Sequence, residues 1–200
     1  MASAAKTSRI TPEDYLARER LAEFKSEFYD GQVWPLGEPI RGMAGTTRVH
    51  NLIAGNLFRE ISLQLKDRPC EAYIGDIRVR ERSSDSYTYP DIVAVCGGPY
   101  FEDDHFDTLT NPDVIVEVLS PSTEAWDRGG KFEYYRRFLS LKEYCLVSQD
   151  RILVERFVRQ GEGWMLVIHN QIEGRLAIQA ISCEIPLREV YRNVTFDPLA

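Results

Sequence analysis

The segment from Asp113 to Leu119 constrains this chain more than any other: after Asp113 it is an apolar run of strand length, broken only by the carboxylate of Glu117. Ser120-Pro121-Ser122-Thr123 ends it, a helical stretch follows from Glu124 or Asp127 to Leu139, and a second apolar strand runs from Glu143 to Ser148. Strands joined through a helix pair in parallel, whereas short turns join antiparallel ones. The crossover therefore predicts a mixed sheet with helices packed on it.

The flanking segments complete the architecture. Thr11-Pro12-Glu13-Asp14 reads as a helix start, with a capping hydroxyl, a proline suited to the first turn and acids at the positive end. Ala17, Leu21, Phe24 and Phe28 form an apolar stripe that carries this helix to the Asp30-Gly31 turn. Gln32 to Leu36 is a short strand, and Pro35 to Gly45 a loop. A second helix is predicted from Arg48 to Lys66, with Val49, Leu52, Ile53, Leu57, Ile61 and Leu65 on one face. Glu71–Arg80 and Tyr87–Cys96 read as strands of a hairpin about the Ser83–Ser86 cluster, and Gly97–Asn111 as a loop. Beyond residue 150, alternation around Gly161-Glu162-Gly163 predicts a hairpin of Arg151–Arg159 and Trp164–His169, and Pro186–Tyr191 a short helical turn.

The expected class is α/β (α+β), a mixed β-sheet with core order helix-strand-strand-strand-helix-strand, an N-terminal helix and a C-terminal β-hairpin. Two hundred residues suit one domain over 11–200, with its core at about 48–149 and an extension at about 150–200. Residues 1–10, small and polar, read as a flexible N-terminus and not a signal peptide. No stretch approaches the roughly 18 apolar residues of a membrane span. Cys70, Cys96, Cys145 and Cys183 show no paired spacing. Cys96 and Cys145 lie in apolar runs and read as buried small hydrophobes, and the spacing of the four suggests neither disulfide nor zinc, in a cytoplasmic protein.

Two carboxylates carry the chemical signal. Asp91 follows Pro90 at the mouth of an apolar strand, and Glu117 lies among valines and isoleucine. A carboxylate in such surroundings is costly to ionise unless something compensates its charge. A hard divalent cation would do so, or an arginine. Neighbouring strands would bring both acids to one site. Lys131, on the following helix, packs back toward them and would orient water or stabilise phosphate charge; alternatively it is a solvated helix lysine. Arg128, Arg136 and Arg137 read as surface charge or weak nucleic-acid contacts.

Pro90-Asp91 and Glu117, in this order of elements, resemble the PD-(D/E)XK nuclease superfamily. Glu27-Phe28-Tyr29-Asp30-Gly31, Tyr89-Pro90-Asp91-Ile92-Val93 and Val116-Glu117-Val118-Leu119-Ser120-Pro121-Ser122-Thr123, followed by Asp127, Lys131 and Tyr134-Tyr135, narrow the resemblance to the Uma-two family of restriction endonuclease-like proteins. It spans about Thr11 to Tyr191.

The resemblance implies a restriction-endonuclease-like fold and a metal-dependent endonuclease. Asp91 and Glu117 would bind Mg²⁺ or Mn²⁺, with the Val118 carbonyl as a further ligand. The motif's lysine position holds Leu119, so its role passes to Lys131. Glu27 matches the family's first-helix acid, as a metal or water ligand or simply as part of the local fold. His50, and Asp76 among the other acids, are possible accessory residues; a local polar contact for His50 and a pair with Arg78 for Asp76 are the alternatives. DNA is the expected partner, in a homodimer built on the C-terminal hairpin. The alternative is a catalytically silent nuclease-fold binding or assembly module.

The net charge of −7 is unevenly spread. Eight acids and no Lys or Arg fall between Pro99 and Asp127, leaving the rest of the chain close to neutral. An acid-rich stretch containing Glu117 suits cation binding, and a chain with few spare bases would hold nucleic acid weakly.

Overall fold

The computed structural model describes residues 10–36 and 47–196. Most of the expected N-terminal flexible segment and of the Pro35–Gly45 loop lies outside them. The chain begins with α1 (Pro12–Glu19), β1 (Ser26–Tyr29), β2 (Gln32–Pro35), α2 (Arg48–Leu65), β3 (Cys70–Ile74), β4 (Arg78–Val79), β5 (Ile92–Cys96), β6 (Thr108–Leu109) and β7 (Val114–Val118). It continues with α3 (Glu124–Trp126), a π-helical turn (Asp127–Lys131), α4 (Phe132–Tyr135), β8 (Glu143–Val147), β9 (Val154–Gln160), β10 (Gly163–His169), β11 (Arg175–Ile178), β12 (Cys183–Pro186) and α5 (Leu187–Val190).

Six strands form the central sheet in the order β10-β9-β8-β7-β5-β3. Among the described residues its only parallel pair is β7–β8, the pair joined by the helical crossover; the other neighbours are antiparallel. Alternation along each strand then builds two cores. Ile92, Ala94, Val114, Val116 and Val118 meet Ile53, Leu57, Ile61 and Leu65 of α2 on one face. Val93, Val95, Ile115 and Leu119 meet Tyr134, Tyr135 and Phe138 on the other. Both faces are covered at the centre of the sheet, where β5 and β7 lie between α2 and the crossover helix.

Four expectations change. The first helix stops at Glu19, and Glu27 and Phe28 lie on a strand. Leu21 and Phe24, members of the expected stripe, are exposed. Asp30 and Gly31 both have positive φ, at 47° and 78°. That is a two-residue hairpin turn whose twist demands strands on either side, and it prevails over the helical periodicity.

The predicted hairpin of β3 and β5 forms, but only over Cys70–Ile74 and Ile92–Cys96. At Gly75, where φ is +69°, the chain leaves the sheet. The arm so formed pairs β4 with β6, Tyr87 with Phe28 and Thr88 with Val79.

The C-terminal segment is more than a hairpin extension. Leu176, Ile178, Ile185, Leu187 and Val190, from β11, β12 and α5, fill the same core as α2.

Cys70 and Cys96 are not separate thiols. They face each other across β3 and β5 and are joined as a disulfide, while Cys145 and Cys183 are free and buried. The linear spacing of 26 residues hides a pairing that only the strand register creates. Closing a loop of that size restricts the unfolded chain by about 3 kcal/mol in the chain-entropy model. Reduction is therefore expected to lower unfolding stability by that order, measured by urea titration with and without reductant, with Cys96→Ala showing the same loss and no response to reductant.

Candidate active site

Adjacent strands bring the two predicted acids together. Ile92 of β5 pairs with Val116 of β7, so the next step outward sets Asp91 opposite Glu117. The Asp91 main-chain N–H donates to Glu117 Oε2 at 3.4 Å, and the Val118 N–H donates to Asp91 Oδ2 at 2.8 Å. The two side chains differ in access to solvent: that of Asp91 is 25% exposed and that of Glu117 only 4%. Glu117 follows Ile115 on the face covered by Tyr134 and Tyr135, so it is a carboxylate placed where an apolar residue would otherwise pack.

Lys131 is what it packs against. The ammonium is buried and donates to Glu117 Oε1 at 3.1 Å; Glu27 Oε1 lies 3.2 Å away and Asp127 Oδ1 3.3 Å. Tyr135 also donates its hydroxyl to Glu117 Oε1, at 2.8 Å. Glu27 is placed by β1 and accepts from the Tyr89 N–H at 3.0 Å, tying the first hairpin to the strand that ends in Asp91. Lys131 thus points toward Glu117 from behind the two acids. It is not a solvated lysine.

Asp127 and Lys131 bracket the π-helical turn, a local widening of the helix found often at functional sites. Tyr144 fixes it from β8 by donating to the Asp127 carbonyl at 3.0 Å. Trp126 lies across Gly130, so closely that a Cβ there would fall 1.8 Å from the indole ring. The indole in turn meets the Tyr29 ring edge-on at 4.8 Å. Gly130→Ala is expected to force Trp126 off the turn and to destabilise the protein by about 1–3 kcal/mol, the usual cost of overpacking. A urea midpoint equal to that of the unmodified chain would refute this account of the glycine.

On the other face of the sheet, His50 of α2 approaches Asp91, with Nε2 3.2 Å from Oδ2. The predicted accessory histidine is therefore part of the constellation. Burial acts to lower its pKa, but the neighbouring Asp91 carboxylate, helped by the Val118 main chain and the charge of Asp127, prevails and raises it. Burial is also the largest influence on Glu117 and raises its pKa. Lys131 opposes that shift, Asp127, Asp91 and Glu27 add to it, and Glu117 stands well above the ordinary carboxylate value. Asp127 is raised too, again chiefly by burial, with Lys131 opposing. Lys131 loses to burial but gains more from Glu117, Glu27 and Asp127, and its pKa is well above normal. One ammonium faces three carboxylates, and Asp91 lies beside them. The cluster carries an excess of negative charge.

The other candidates lie elsewhere. Asp76 is exposed and pairs with Lys25 at 2.7 Å, not with Arg78, which binds Asp107 and Tyr89. Arg128 is spanned by Glu124 and Glu155, Arg137 lies 3.7 Å from Glu133, and Arg136 is exposed. The acidic stretch is also redistributed. Glu102, Asp103 and Asp107 serve Arg80, Arg20 and Arg78, and Asp113 serves Lys142. Of the eight acids only Glu117 and Asp127 enter the cluster, so the stretch is mainly structural. Sequence alone assigns no role to Asp127 or Tyr135. The spacing of Asp127 and Lys131 by four residues was the available signal.

All candidate metal donors at Asp91, Glu117 and the Val118 carbonyl are oxygen, a set that suits a hard divalent cation. Among the described residues no three His, Cys, Asp or Glu side chains form a metal-holding group. A cation here would therefore rely on the two acids, main chain and water, as Mg²⁺ commonly does.

Residues 12–187 match the family model Uma2, described as "Putative restriction endonuclease". Two uncharacterized proteins of Synechocystis sp. are similar: sll1609 is 37% identical over 81% of this chain and 88% of its own length, and slr1290 is 31% identical over 94% of each. A crystal structure from Anabaena variabilis, titled as a "putative nuclease belonging to DUF820", superposes with a TM-score of 0.69 over 91% of this chain and 97% of that one, at 16% identity. At that identity the likeness establishes a shared fold.

Proposed function

The chain belongs to the Uma2 family, and from that membership we propose that it is a metal-dependent endonuclease hydrolysing phosphodiester bonds in DNA. The observation that carries the reading is the opposition of Asp91 and Glu117 on adjacent strands, with the charge of Lys131 behind them. Asp91, Glu117 and the Val118 carbonyl would hold Mg²⁺ or Mn²⁺, which when bound supplies positive charge to the scissile phosphate and acidifies an attacking water. Lys131 holds Glu117 in place and keeps a positive charge at the rear of the site. Glu27 and Asp127 keep Lys131 protonated. His50 orients Asp91 through its Nε2 contact.

A duplex has two strands to cut, so we take the working enzyme to be a homodimer; in the cytoplasm, where DNA is at hand, the Cys70–Cys96 pair would stand reduced. Among the described residues no helix is long and apolar enough to cross a membrane. The enclosure of Lys131 by three carboxylates favours a second reading, a catalytically silent module of the same fold.

One experiment separates the two. Purified protein is incubated with plasmid and oligonucleotides, with and without Mn²⁺, and Mn²⁺ binding is followed by calorimetry. The nuclease reading expects Mn²⁺-dependent cleavage and binding, both lost in Asp91→Ala. Cleavage unaffected by that substitution overturns the site assignment, and the absence of both cleavage and binding leaves the silent module.

A further inference from the structure

The central sheet has two edges of opposite character. At one, β3 carries Glu71, is bonded through Cys70 to β5, and has Tyr73 against Phe101 at 6.3 Å. At the other, β10 reads Gly163-Trp164-Met165-Leu166-Val167-Ile168-His169, with no Lys, Arg, Asp, Glu or Pro. Met165, Leu166 and Ile168 are 42%, 45% and 56% exposed. Charged residues, prolines and bulges are the devices that keep sheet edges from pairing. This strand has none of them.

The direction of its free hydrogen-bonding groups follows from its neighbour. The Arg159 N–H donates away from β10, to the Lys142 carbonyl at 2.8 Å. Arg159 and Trp164 are register partners, so theirs is a non-hydrogen-bonded pair. Such pairs alternate along an antiparallel ladder. The main-chain groups of Trp164, Leu166 and Ile168 therefore all point outward, and among the described residues none has a main-chain partner.

We propose that β10 pairs with β10 of a second copy of this chain, antiparallel and centred on Leu166, so that two six-stranded sheets join across a two-fold axis. Three features of the strand select a copy of itself as the occupant. First, a two-fold at Leu166 pairs Leu166 with its own counterpart and Trp164 with Ile168. All three outward residues then exchange both main-chain bonds, and none is stranded. Secondly, that register sets apolar against apolar at each position: Trp164 against Ile168 and Leu166 against Leu166 on one face, Met165 against Val167 on the other. Thirdly, self-pairing brings like charges opposite one another wherever a strand is charged, which is unfavourable; this strand carries no fixed charge. An isologous contact of this kind closes after two copies and cannot propagate.

The strand is also held ready. The Trp164 ring lies under the Arg159 guanidinium at 4.4 Å and meets Phe132 edge-on at 5.5 Å. Arg159 is fixed by the carbonyls of Arg136, Phe138 and Leu141. The inference does not rest on the nuclease reading, and its test needs no substrate.

Sedimentation equilibrium of the full chain is expected to give twice the 23.0 kDa chain mass. Leu166→Lys sets two ammonium groups face to face on the axis, and should return the chain mass with an unchanged circular dichroism spectrum, since the position is exposed. Leu166→Cys should form an intermolecular disulfide on mild oxidation. Residues directly opposite in a hydrogen-bonded antiparallel pair lie about 5.5 Å apart, within disulfide reach. The unmodified chain, whose two free cysteines are buried, should not cross-link. A monomeric unmodified chain overturns the proposal. So does a dimer that persists in Leu166→Lys while Leu166→Cys fails to cross-link, because the interface would then lie elsewhere.

Discussion

Lys131→Met is expected to destabilise the protein by about 3–5 kcal/mol at pH 8, the range for removing one partner of a buried ion pair, and by much less at pH 5. The substitution preserves most of the side chain's volume but leaves Glu27, Glu117 and Asp127 without the ammonium that all three face. Glu117 and Asp127 already have raised pKa values in the folded protein, with Lys131 as the main opposing influence. Without it both rise further.

A carboxyl group whose folded pKa exceeds its unfolded value favours the fold while both states are protonated. That contribution is lost as pH rises through the folded value. The variant should therefore lose stability progressively above about pH 4.5, the ordinary glutamate range. In the unmodified chain Lys131 works in the opposite window. Its raised pKa contributes stability throughout neutral pH, and the contribution disappears only above the ordinary lysine value. Urea titrations of both proteins at pH 5 and pH 8 read the difference directly. An equal loss at the two pH values would mean that Lys131 acts by packing and that its charge is not what the cluster needs.

Whether a feature could be read in the sequence depended on whether its cause was local. The crossover from β7 to β8 was legible because a strand, a helix and a strand in succession admit one pairing direction. Asp91 and Glu117 were legible as neighbours because one precedes β5 and the other lies on β7, successive long strands with only the two-residue β6 between them. The end of α1 was not. Periodicity through Leu21 and Phe24 competed with the Asp30-Gly31 turn, and the turn prevails with Phe28 docked beside Tyr87.

The disulfide was hidden for a similar reason. Cys70 and Cys96 meet because the β3–β5 register puts them opposite each other, a fact no spacing rule contains. Asp76 was misplaced because Gly75 turns the chain out of the sheet just before it. The acidic stretch misled through its density: its carboxylates separate in space, and half of them meet arginines or a lysine from distant segments. Lys131 was placed correctly because its helix must return to the sheet. The widening of that helix by a π turn, which lets Asp127 and Lys131 face the same carboxylates, has no sequence signature beyond Gly129-Gly130.

Glu117→Gln should divide stability from activity. The ionised form of Glu117 is disfavoured in its buried position, so a neutral amide removes a charge that the cluster holds at a cost. Its oxygen can still accept from Lys131 and Tyr135, which both donate to Oε1. The urea midpoint at pH 8 is therefore expected to be equal to or higher than that of the unmodified chain. Cleavage should fall by about 10³-fold, because the several kcal/mol that a cation contributes to such chemistry require an anionic donor at this position. Mn²⁺ affinity measured by calorimetry should fall with it. Lys131→Met cannot make this distinction, since a destabilised chain loses activity for any reason. A Glu117→Gln protein that is stable and retains cleavage would remove Glu117 from the catalytic machinery and leave it as a buried partner of Lys131. If stability and cleavage are both lost, the amide has broken the cluster. Asp91→Asn, at the more exposed acid, then becomes the variant that tests the chemistry alone.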